Sequence, residues 1–192
     1  MKLRWTAAVP FSLALSLFFL WGLASGEGVS NLSELTGNAF SQAAGVAGVN
    51  MGAGDGHCQT NLWGFGLHGE GPTGWIEQVA TATEPPLQST DLIGGYAFSG
   101  FRGVASINQA SGSGTAEANM LLMGVDTTSV GDGILEQATG GLGGVRETAG
   151  TRSDIIGGHA FEGACGIVQV NQSAGMANAL SNRIVINTKT LR

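Results

Sequence analysis

Two glutamates, Glu77 and Glu136, hold matching places in Trp75-Ile76-Glu77-Gln78 and Ile134-Leu135-Glu136-Gln137. A carboxylate pair is the equipment of glycoside hydrolysis, one group giving a proton while the other acts as base or nucleophile. Matching positions in a repeat instead stack or face solvent, so catalysis is not the expected role of this pair. Gly52-Ala53-Gly54-Asp55-Gly56-His57 has the glycine density of a phosphate loop or a calcium-binding roll. A phosphate loop needs a following Lys-Ser or Lys-Thr, and a calcium roll needs regularly spaced acids in tandem copies. Neither is present. His57, His68 and His159 have no carboxylate or thiol at metal-ligand spacing except the adjacent Cys58. No serine sits in a Gly-x-Ser-x-Gly elbow. The chain is therefore not read as an enzyme, and no cofactor or metal is expected.

What recurs is a frame that could position side chains in rows. A 25-residue pattern runs over 37–61, 95–119 and 158–182 without a gap. Its invariant positions are glycines 37, 95 and 158, alanines 39, 97 and 160, and phenylalanines Phe40, Phe98 and Phe161. Glycines 45, 103 and 166 follow, then Asn50, Asn108 and Asn171, Gly54, Gly112 and Gly175, and Asn61, Asn119 and Asn182. The two asparagines of each copy lie 11 residues apart. Repeats of this length indicate stacked units instead of one compact core.

The residue types select strands. Ala47, Val49 and Met51 alternate with Val46, Gly48 and Asn50, and the other copies follow suit in Ala105, Ile107, Gln109 and Val168, Val170, Gln172. Period-two alternation with β-branched residues predicts a strand. Gly54, Gly112 and Gly175 are then expected to form the turn, with a second strand through Asn61, Asn119 and Asn182. Helix competes over 116–123, which is rich in helix formers, but the matching stretch 57–64 is not. The expected fold is all-β, built of three stacked strand–turn–strand units in a β-solenoid-like or cross-β arrangement, with partly ordered linkers. Stacked at the strand spacing of about 4.8 Å, equivalent asparagines can donate to one another and the phenylalanines can form an aromatic row.

Along the chain this gives a leader (1–26), a polar lead (27–36), repeat one (37–61), a linker (62–94), repeat two (95–119), a linker (120–157), repeat three (158–182) and a tail (183–192). The linkers carry nine acids, Glu70, Glu77, Glu84, Asp91, Asp126, Asp132, Glu136, Glu147 and Asp154, and the prolines Pro72, Pro85 and Pro86. Inside the repeats only Asp55, Arg102, Glu117 and Glu162 are formally charged. Charge and proline are thus kept from where strands would stack. Short extra strands are expected at 75–80 and 134–138. Thr90-Asp91-Leu92-Ile93-Gly94 also resembles Ser153-Asp154-Ile155-Ile156-Gly157. Residues 140–144 read as a glycine-dense loop.

The first 26 residues have the form of a secretory signal, with Lys2 and Arg4 before an apolar run and a small-residue site at Ala24-Ser25-Gly26. No second apolar run follows, so no transmembrane helix is expected after cleavage. Without Lys2 and Arg4, 6 basic residues face 14 acidic ones, a net charge near −8. That balance argues against nucleic acid, which needs a basic patch. Oxidising conditions outside the cell allow a bridge between Cys58 and Cys165, which occupy different places in their repeats.

The stretch Gly103-Val104-Ala105-Ser106-Ile107-Asn108-Gln109-Ala110-Ser111-Gly112, with its counterparts in the other two repeats, resembles the repeats of the bacterial Fap-type functional amyloids, and more distantly those of curli. The resemblance implies an exported fibre subunit at the cell surface in biofilm or adhesion. Its partners would be copies of itself, other fibre subunits and an outer-membrane secretion channel. Repeats poor in Asn and Gln, with cysteines inside them, resemble a minor, nucleating or accessory subunit more than the bulk one. The alternative is a soluble, capped β-solenoid that binds carbohydrate or protein without polymerising. A β-helical polysaccharide enzyme ranks third, since it needs more coils and a cluster of acids on one face.

Overall fold

The computed structural model describes residues 29–83, 85–131, 133–141 and 150–189. The leader, residues 142–144 of the glycine-dense loop and the end of the tail lie outside the described residues. Within them the chain is all-β and passes through three layers. The first contains β1(Ser30–Leu35), β2(Ala44–Asp55), β3(Cys58–Gly69) and β4(Trp75–Thr81). The second contains β5(Gln88–Ile93), β6(Arg102–Ser113), β7(Ala116–Thr127) and β8(Ile134–Gly140). The third contains β9(Thr151–Ile156), β10(Cys165–Met176) and β11(Ala179–Thr188).

Every described ladder joins one layer to the next, and all are parallel. The sheets are ordered β1-β5-β9, β2-β6-β10, β3-β7-β11 and β4-β8. The register superposes the repeats without a slip, with Asn50, Asn108 and Asn171 in one column and Asn61, Asn119 and Asn182 in another. Consecutive long strands such as β2 and β3 lie in different sheets, so the turn between them makes a β-arch, with side chains meeting across it. The loop between the first two strands of each layer stacks too, with Phe40 N–H donating to Ala97 C=O and Phe98 N–H to Ala160 C=O.

The alternation of β2, β6 and β10 divides two interiors. Val49, Ala105 and Ile107 face the first sheet and pack with Ile93, Ala97, Phe98 and Phe101. Their neighbours Asn50, Asn108 and Asn171 face the third sheet across the arch. On the far side of that sheet Ala118, Met120 and Leu122 pack against Ile76 of β4. Burial peaks in the middle layer, which is covered above and below, and falls at the outer two.

One expectation needs correcting, and the structure adds two features to the others. Gly54, Gly112 and Gly175 are not the turn. They lie inside the long strands at φ 119°, 137° and 145°, and the arch bends two residues later at Gly56, Gly114 and Ala177 (φ 67°, 68° and 51°). Residues 30–35 of the polar lead form β1, because Leu35 supplies the apolar position that Ile93 and Ile156 supply above it. The strands through Asn61, Asn119 and Asn182 run on through residues 69, 127 and 188, where Leu62, Met120 and Arg183 share a column without sharing a type.

Gly103 is required for two reasons. Its φ of 132° belongs to the region that disfavours a Cβ, and a methyl group there would collide with the carbonyl of Gly45 in the layer below. We expect Gly103→Ala to cost at least about 1–3 kcal/mol from backbone strain alone. A drop in the urea midpoint would measure it. An unchanged midpoint would mean that the strand is regular at this point.

Candidate functional site: the amide and aromatic ladders

The asparagines of the arch form a connected lattice. Between layers, Asn108 Nδ2 donates to Asn50 Oδ1 at 2.9 Å and Asn171 Nδ2 to Asn108 Oδ1 at 2.9 Å. In the facing column Asn119 Nδ2 donates to Asn61 Oδ1 at 3.0 Å, and Asn182 Nδ2 to Asn119 Oδ1 at 3.0 Å. Within each layer the second column donates to the first: Asn61 to Asn50 at 2.8 Å, Asn119 to Asn108 at 2.9 Å and Asn182 to Asn171 at 2.9 Å. The amides also reach strand carbonyls, as Asn119 does to Ile107 O at 3.0 Å. Asn108 and Asn119 are wholly buried, where an unpaired amide would cost about 1–3 kcal/mol. Here the lattice supplies both donors and acceptors.

Beside it runs an aromatic column. Phe98 stacks on Phe40 at 4.9 Å and on Phe161 at 5.2 Å, with rings within 9° of parallel. Phe101 meets Phe98 edge-on at 5.9 Å. Strand spacing brings the rings to this separation, and the loop hydrogen bonds hold them in line.

Other stacked amides escaped notice in the sequence. Gln172 Nε2 donates to Gln109 Oε1 at 2.9 Å, and Gln137 Nε2 to Gln78 Oε1 at 2.8 Å. The matching Glu-Gln pairs of the linkers were the available signal for the second. Met51 interrupts the Gln109 column in the first layer, which is why that column has no threefold signature. Asn31, outside the repeats, is buried and donates to Gly112 O at 3.2 Å.

Acids enter the interior at two points. Asp91 is buried on β5, accepts from Ser111 N–H at 3.1 Å, and is in register with Asp154 on β9. Burial and the Asp154 charge push its carboxyl up to about 8. Glu117 on β7 is pushed up to about 8, chiefly by burial, although it accepts from Gln59 Nε2 at 2.8 Å. Burial also raises Asp154. A folded-state value above the unfolded one means that the stack binds protons the open chain releases. Its stability is full below about pH 4, the unfolded value, and is lost as pH rises through about 8. The urea midpoint is expected to fall between pH 5 and pH 9. The double variant Asp91→Asn/Glu117→Gln should flatten that slope, and a midpoint that rises with pH would contradict the assignment.

The remaining chemistry-bearing residues are dispersed. Glu77 and Glu136 are neighbours on the outer face of β4 and β8, exposed along one strand pair instead of facing across a cleft. His57 is partly buried against Ala53 O, and burial lowers its pKa. His159 stacks on Tyr96 and lies 2.8 Å from Glu162. Cys58 opens β3 beside the arch, while Cys165 opens β10 at the far end of a 12-residue strand, and both are free. The bridge that oxidising conditions would allow is not formed, since a disulfide needs Cα atoms within about 7 Å.

Fold and ladders together define a parallel β-arch solenoid held by amide and aromatic columns, and among the described residues no strand pairs beyond its first and third layers. The model of the functional amyloid protein FapB/FapC family matches residues 22–189, and the chain belongs to that family. No solved structure matches it.

Proposed function

We propose that the chain is exported and joins cell-surface amyloid fibres as a minor, nucleating or accessory subunit, contributing to adhesion or biofilm matrix. One observation carries this reading: both asparagine columns run through all three layers, and although Asn171 is buried, each layer at the ends of the stack leaves a column asparagine in contact with solvent. Asn50 is exposed in the first layer, and Asn182 is partly exposed in the third. A further layer of the same design continues every ladder, and capped solenoids close their ends with polar or covering elements instead. The minor role is supported by columns that do not repeat, such as Met51–Gln109–Gln172 and Ser33–Asp91–Asp154. A bulk subunit gains from uniform columns, whereas a starter needs one well-made face. Partners on this reading are further copies, the bulk fibre subunit and an outer-membrane channel.

The test is dilution of residues 27–192 from denaturant. Fibres with reflections near 4.7–4.8 Å and about 10 Å are expected, together with a rise in thioflavin fluorescence. Substoichiometric seed should shorten the lag of the bulk subunit. A monomer that persists for days at high concentration would overturn the fibre reading in favour of a soluble carbohydrate- or protein-binding solenoid.

A further inference from the structure

We infer that copies of this chain join in one orientation only, each incoming copy setting its first-repeat face on the third-repeat face of the copy before it. This deepens the fibre reading and rests on it. Three independent features of the end faces carry the orientation.

The amide columns are directional. Each Nδ2 donates toward the first layer, Asn171 to Asn108 to Asn50 and Asn182 to Asn119 to Asn61. The columns therefore end in amide carbonyls at the third repeat, where Asn171 is buried and Asn182 partly exposed, and in amide donors at the first. Asn50 is exposed, and its amide donates within the copy at 3.4 Å to Gln59 O. Joining unlike faces continues both columns. Joining like faces about a two-fold axis sets donors against donors or acceptors against acceptors, and turns parallel strands antiparallel.

The glycines carry a second polarity. The carbonyls of Gly45 and Gly103 are directed at the glycine one layer further on, Gly103 and Gly166. Further along the same strands the sense reverses, with the carbonyls of Gly175 and Gly112 directed back at Gly112 and Gly54. By that regularity the third face presents the Gly166 carbonyl, while at Gly175 the Arg152 side chain lies 3.2 Å from where a Cβ would stand. The first face presents Gly45, with a φ of 120° and open space beside it, and the Gly54 carbonyl. In the proposed orientation the Gly166 carbonyl of one copy meets the open side of Gly45 of the next.

The acid column is the third feature. Asp91 and Asp154 are adjacent, and the first layer has Ser33 in that place. Unlike faces set Ser33 on Asp154, so no run exceeds two acids. A contact between two third faces would instead bring two copies of Asp154 to one seam.

The experiment uses two full-length variants. Val46→Lys places an ammonium group at an exposed position of the first face, and Ile167→Lys places one in the same column on the third. Each variant alone should sediment as a monomer, and an equimolar mixture should sediment as a dimer, joined through the two intact faces. Labelled in two colours and added to wild-type fibres, the variants should sit at opposite ends of each fibre. A variant that dimerises by itself, a mixture that stays monomeric, or both colours at one end would overturn the orientation while wild-type fibres left the fibre reading standing. A wild-type chain that forms no fibres would end both.

Discussion

Replacing Ile107 by Lys is expected to abolish the stack altogether, in the monomer as well as in the fibre. Ile107 is wholly buried at the centre of the middle layer, against Ile93, Phe98 and Phe101. The change loses about 1.5–3 kcal/mol of apolar burial. It also leaves an unpaired ammonium in the interior, a further cost of several kcal/mol after relaxation. A domain has only about 5–15 kcal/mol to lose. Strand circular dichroism and thioflavin binding should both vanish. The matched control is Val79→Lys on the outer face of β4, where the side chain is 69% exposed and the added charge stays in water. Gly143, a natural control in the second linker, lies outside the described residues. Normal polymerisation by Ile107→Lys would mean that these repeats are not the stacking core.

The second large effect is expected at Asn108. Its amide donates to Asn50 Oδ1 and Thr60 O, and its carbonyl accepts from Asn119 and Asn171. Asn108→Ala removes the node where the two columns cross and leaves acceptor and donor groups short of partners on three sides. At about 1–3 kcal/mol for each orphaned group, a loss of about 2–5 kcal/mol follows. Asn50→Ala should behave differently. The position accepts from Asn61 and Asn108 but is exposed in one copy, where water can take its place, so the monomer's urea midpoint should shift less than for Asn108, while fibre stability and elongation should suffer as they do for Asn108. Asn31 is not a neutral comparison, because its bond to Gly112 O adds about 1 kcal/mol. The exposed Asn38 is the better one. Equal losses at Asn38, Asn50 and Asn108 would mean that the lattice contributes nothing.

Much of this architecture could be read from the chain because stacking makes identical demands at identical places. The alternation from Val46 to Met51 and its two echoes gave the strand and its faces. The Glu-Gln pairs of the linkers coincide with β4 and β8. Other features were hidden for physical reasons. β1 leaves little trace because an end-layer strand is half solvated and needs only Leu35 and a few small residues inside. The bend was set two residues early because glycine signals positive φ, and positive φ here serves a kink within the strand as well as the arch. Glu117 is a formal charge inside a repeat, and a carboxyl pushed up to about 8 can sit inside as the neutral acid. The acids of the linkers did not all face water either, for Asp91 points inward beneath Ser111.

The pairing pattern has a consequence for how the fold is reached. Partners in the described ladders are separated by 58 residues in the lower pair of long strands and by 63 in the upper pair, as with Asn50 and Asn108 or Asn108 and Asn171. No described strand pairs with its neighbour in sequence. A free chain must therefore close a long loop before it gains its first ladder, and chains dominated by such contacts fold slowly. An existing end face removes that requirement, because the 25-residue arch can lay itself down against a template one strand at a time. Spontaneous folding should then be slow and templated folding fast. A chain that lingers unfolded alone yet orders quickly on contact is held in reserve by its own topology.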